Sequence, residues 1–168
     1  MNQLKSLLLR SLALLTLTVG LLLSQRASAQ VLLTTSPLIA GQNETAGLVL
    51  VFADADNVYV RYLLEDGWTL NETHLAVAAD FASIPQTKSG NVRIGHFEYG
   101  GSFSGLAQDV TYSIPRSELG TLNLFVAAHA VVERLSGGRE TAWAGPYEFG
   151  GKNWATYMYI GEGVPPNR

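Results

Sequence analysis

Leu48-Val49-Leu50-Val51-Phe52, Asp54-Ala55-Asp56-Asn57 and Val58-Tyr59-Val60-Arg61-Tyr62 follow one another almost without a break. The outer two segments are rich in β-branched and aromatic side chains, which fit a pleated, half-buried surface. Neither shows the three-and-four recurrence of an amphipathic helix. The middle segment has turn chemistry, because Asp and Asn side chains bond their own backbone and tolerate left-handed angles. Together they predict a β-hairpin.

Outward from the hairpin the pattern continues. Glu65-Asp66-Gly67 predicts a turn and Trp68 to Ala78 a third strand. Phe81 to Gly105, punctuated by Pro85, Ser89-Gly90-Asn91 and Gly100-Gly101, predicts long loops around a short piece at Phe97-Glu98-Tyr99. Val110 to Ile114 reads as a strand closed by Pro115, and Arg116 to Gly120 as one helical turn at most. Leu122 to Glu133 is apolar on both faces, as a central strand must be. Ser136-Gly137-Gly138 turns the chain back, and Trp154 to Ile160 is the last strand. Short strands divided by turn signals predict an all-β fold, an antiparallel β-sandwich with a β-barrel as the alternative.

The front of the chain reads as a signal peptide. Lys5 and Arg10 precede an apolar run from Leu12 to Leu23, and Ala27-Ser28-Ala29 supplies a small-x-small cleavage site. The run is shorter than the roughly 20 residues of a membrane span. The expected organisation is therefore a signal over residues 1–29, one domain over 30–160 and a flexible tail over 161–168. The expected address is secreted, periplasmic or extracellular, with no membrane anchor after cleavage. The leader removes three of the 11 basic residues and no acid, so eight basic residues face 14 acidic ones and the mature charge is −6. Such a surface argues against nucleic acid and against anionic lipid as partners. With no cysteine, thiol chemistry is excluded and packing alone must stabilise the exported domain.

Several motifs dissolve on inspection. Gly100 to Gly105 lacks a Walker lysine and the spacing of a nucleophile elbow. Asp54, Asp56 and Asn57 open like a calcium loop, but Val58 follows and no glutamate closes it, so an Asx turn is the better reading. The segment Trp68-Thr69-Leu70-Asn71-Glu72-Thr73-His74-Leu75 is more suggestive. In a strand Glu72 and His74 project from one face about 6–7 Å apart. That spacing suits a divalent metal ion, zinc for example, or an acid–base pair in which the carboxylate raises the imidazole pKa. His129, in an apolar strand, needs partners for its nitrogens, and Glu72 would serve if the strands are neighbours. Glu72, His74 and His129 are thus the candidate metal ligands. The plainer reading makes all three structural, because histidines in apolar strands are more often core residues than ligands.

Glu140 is a weaker candidate. With Gly137-Gly138 at the centre of the turn, Glu140 faces Leu135 and His129 faces Pro146, which leaves the two about 20 Å apart on one face. His96 falls in a loop. Trp68, Tyr99, Trp143, Tyr147, Trp154, Tyr157 and Tyr159 are numerous enough for a sugar-stacking platform, although such residues also fill β cores. Asn43-Glu44-Thr45 and Asn71-Glu72-Thr73 match the N-glycosylation pattern, which matters only in a eukaryotic secretory route.

The Gly67–Leu75 segment, together with Ala40-Gly41-Gln42, Gly95-His96-Phe97-Glu98-Tyr99, Tyr112-Ser113-Ile114-Pro115, Ala127-Ala128-His129-Ala130-Val131-Val132, Glu140-Thr141-Ala142-Trp143 and Trp154-Ala155-Thr156-Tyr157, resembles a family of secreted microbial β-rich domains without a characterised activity. The resemblance spans most of the mature chain and implies export and a β fold, but no ligand or catalytic residue. It leads one to expect glycine after Glu-Thr-Ala-Trp, where Ala144 stands. Three functions compete: a non-enzymatic secreted binding module, a small metal site of hydrolytic character, and a carbohydrate-binding module.

Overall fold

A computed structural model describes residues 29–104, 106–163 and 165. The expected signal segment, apart from Ala29, and the last three residues of the tail lie outside the described residues. The strands are β1 (Val31–Ala40), β2 (Glu44–Ala53), β3 (Asn57–Leu64), β4 (Trp68–Ala78), β5 (Tyr99–Ser102), β6 (Asp109–Pro115), β7 (Leu124–Arg134), β8 (Arg139–Ala144), β9 (Tyr147–Glu148) and β10 (Thr156–Ile160). A single helical turn, Arg116–Leu119, follows β6.

The fold is all-β and antiparallel. The strand order is β5-β4-β7-β8-β1-β2-β3-β6, with β10 alongside β7. Of the two architectures left open by the sequence, the sheet takes the barrel-like one, because its two ends curl toward each other. Tyr112 on β6 shares a 2.5 Å hydrogen bond with Thr73 on β4, and the Tyr62 hydroxyl donates to the His74 carbonyl at 3.2 Å. The loop before β6 stitches the seam further. Leu70 N–H donates to the Ala107 carbonyl and Leu64 N–H to that of Gln108.

β7 holds the central place that its apolar pattern predicts. It pairs with β4 from Phe125 to Arg134, with β8 from Ala128 to Glu133 and with β10 from Leu124 to Val126. Because alternate side chains point to opposite faces, it feeds two cores. Leu124, Val126, Ala128, Ala130 and Val132 enter the larger one inside the curl. Phe125 and Ala127 enter a smaller one outside, with Phe81, Phe149 and Tyr157. The chain between β4 and β5, read from sequence as loop, lays Phe81, Ile84 and Phe97 over this outer face.

One expected register is corrected. The β7–β8 pairs run Glu133↔Arg139 to Ala128↔Ala144, three residues out of step with the expected pairing. The turn is centred on Ser136, with Gly137 and Gly138 in left-handed conformations (φ +95° and +104°) on its far side. Glu140 therefore lies opposite Val132, on the face away from His129, and His129 lies opposite Trp143. The Asp54 turn is as expected: its Oδ1 accepts from the Asp56 and Asn57 amides, and Oδ2 from the Tyr59 hydroxyl. These donors hold the Asp54 carboxyl below its ordinary pKa. Ala144 is fully buried between Leu38 and Ala128.

Candidate functional site

The outward residues of four adjacent strands form one transverse row: His74 on β4, His129 on β7, Trp143 on β8 and Ile39 on β1. Register alone aligns them, because directly paired residues share a face. The His74 and His129 ring centroids are 5.5 Å apart, and those of His129 and Trp143 are 4.7 Å apart. Phe97 packs edge-on against Trp143 from the covering segment. His129 is 2% exposed, and its Nδ1 is buried without a hydrogen-bond partner. Burial, reinforced by the neighbouring His74, pushes its pKa down to about 4. It is therefore a neutral ring at neutral pH.

Glu72 completes a chain rather than a cluster. Its Oε2 is 3.4 Å from His74 Nε2, while its own cross-strand partner on β7 is Val131, beyond a bulge at Asn71. The structure thus brings Glu72 to His74 and His74 to His129, with His74 in the middle. Among the described residues, no three His, Cys, Asp or Glu side chains are grouped to hold one metal ion. His96 is exposed, but it ends a short 3-10 turn, Ile94–His96, where the sequence predicts a loop.

The row ends in a groove. Ile39 and Trp143, paired across β1 and β8, form its floor. Beyond β8 the chain bends through Gly145 into the β9–β10 hairpin, where Glu148 pairs directly with Thr156. Trp154 stands two residues before Thr156 in extended chain, so both point the same way while Ala155 and Tyr157 go into the core. Glu148, Thr156 and Trp154 line the groove from this side of the chain, and Gln42 lines it from the β1–β2 turn. The groove holds about 210 Å³. Trp143 is nearly covered, Trp154 is partly exposed, and Gln42 and Glu148 are exposed at the rim.

Of the aromatic residues considered for stacking, Tyr157 is core and Trp68 is buried at the other side of the sheet under the Arg134 guanidinium, 4.5 Å from its ring. Trp143 and Trp154 line one groove. Glu148 is absent from any sequence motif, and Gln42 figures only in the Ala40-Gly41-Gln42 segment of the family resemblance. The signal for Gln42 is the Gly41-Gln42-Asn43 turn between two extended runs. Glu148 could be found only by knowing that β9 folds back on β10.

Comparison with family models, with curated proteins and with solved structures finds no match for the chain. The function must therefore be argued from the groove itself.

Proposed function

We propose that the mature chain is an exported, non-enzymatic binding module that takes its ligand in the groove between Trp143 and Trp154. One observation carries this reading. Two of the three tryptophans converge on a single concavity whose rim is amide, hydroxyl and carboxylate. Binding sites commonly combine an apolar floor with a few placed polar groups. Export is the reading of residues 1–29, and the absence of cysteine leaves the apolar strands to hold the groove rigid outside the cytoplasm.

The test compares wild-type protein with Trp154→Ala and Glu148→Ala on an array of immobilised saccharides, peptides and lipid headgroups. Thr111→Ala, on the outward face of β6, is the control. Probes held by the wild type are expected to be lost from both groove variants and kept by the control. If the groove variants retain them, or if nothing on the array is held at millimolar concentration, the reading fails.

A further inference from the structure

We infer that the groove is a saccharide site that takes one ring of a neutral glycan. The inference rests on the groove being the ligand face and adds the class of ligand. The first argument is size. At about 210 Å³ the groove is smaller than the roughly 300–1,000 Å³ that encloses a drug-sized molecule. It fits one ring, with the rest of a chain lying over the exposed rim.

The second argument is chemistry. A sugar ring presents axial C–H groups on its faces and hydroxyls around its edge. The part-exposed Trp154 indole offers a flat apolar surface with a polar edge for the first. Gln42, Thr156 and Glu148 offer the second an amide that both donates and accepts, a hydroxyl that does the same, and a carboxylate acceptor. A quaternary ammonium would instead ask for ring faces closing round it. Here one indole is nearly covered, and the remaining polar groups suit hydroxyls.

The third argument is charge. Glu148 stands at the rim of a mature chain with a charge of −6, so sulfated or uronic glycans meet like charge.

The fourth argument is Gln42. The β1–β2 connection is a tight turn in which Asn43 N–H donates to the Ala40 carbonyl. Gly41 and Gln42 both have positive φ, +54° and +70°. Such turns favour glycine or asparagine at the second position. Gln42 is the only non-glycine described residue with positive φ, and its exposed side chain lines the groove. Glycine would relieve the backbone but remove the amide.

The experiment follows tryptophan fluorescence of the intact mature protein during titration with neutral hexasaccharides (cello-, chito-, xylo- and manno-), heparin fragments and choline. Saturable change with at least one neutral saccharide, and none with heparin fragments or choline, is expected. Gln42→Gly should melt a few degrees higher than the wild type while binding that saccharide at least tenfold more weakly. Glu148→Gln should weaken it with the fold intact. Saturable binding of choline or heparin fragments in place of the neutral sugars overturns the saccharide assignment and leaves the groove as ligand face. Undiminished saccharide binding by Gln42→Gly and Glu148→Gln overturns both, as does silence with every probe.

Discussion

Acidification from pH 7 to pH 4 is expected to cost the domain about 3 kcal/mol through His129 alone. Above pH 6.5 the ring is neutral both in the folded protein and in the unfolded chain, and stability has its full value. Between pH 6.5 and about 4 the unfolded chain takes up a proton that the folded protein refuses, because its ring is buried beside His74 and Trp143. The stability lost through His129 therefore grows through this window and levels off below it. Asp54 and Asp109 are held below the ordinary carboxylate range by their hydrogen-bond donors, so their losses come at still lower pH. Urea unfolding at pH 7 and pH 4 measures the effect, and His129→Leu isolates it. The variant should lose most of the slope between pH 6.5 and 4. It should not be weaker at pH 7 by more than the altered packing requires, because it also removes the unpartnered Nδ1. An unchanged slope in His129→Leu would place the acid sensitivity elsewhere.

Gly145→Ala is expected to be the most damaging single-methyl change near the groove, costing more than about 4 kcal/mol. Gly145 has φ +134°, and an added Cβ would lie 2.1 Å from the Tyr157 carbonyl carbon and oxygen. Both contacts are backbone, so no rotamer can relieve them. β10 would have to leave its place, uncovering Phe125 and Phe149, which pack on Tyr157. Gly137→Ala is the control, with φ +95° but nothing within 4 Å of the new Cβ. It should cost about 1–2 kcal/mol, from the backbone conformation alone. Thermal melts compare the two. Equal losses would mean that the close approach of β10 to Gly145 is not what matters.

Where burial imposed a pattern, the sequence was legible. β4 runs from Trp68 to Ala78 as expected, and β7 shows on its two faces the two cores it joins. β1 leaves no such pattern, because its first half is paired only with β2, and Val31 and Leu32 are 60% and 51% exposed. Nothing there forces alternation. The β7–β8 register is not legible, because two adjacent glycines mark a turn without saying which side of it they occupy. The candidate residues were partly legible too. A period of two put Glu72 and His74 on one face, and they do touch. That His129 would sit against Trp143 depended on the register. The groove was hidden altogether, because Ile39, Gln42, Trp143, Glu148, Trp154 and Thr156 come from three separate stretches of chain.

The most direct test of the groove as ligand face uses its own tryptophans. Mature protein labelled with ¹⁵N gives one indole Nε1–H signal from each of Trp68, Trp143 and Trp154. Trp68 is packed in the inner core, on the other side of the sheet, and serves as the internal reference. On titration with the cello-, chito-, xylo- and manno-hexasaccharides, and separately with choline and heparin fragments, the Trp143 and Trp154 signals are expected to move together and saturate with at least one neutral saccharide while that of Trp68 stays in place. Movement of Trp68 with them, or three signals unmoved by every one of these probes, would contradict the account.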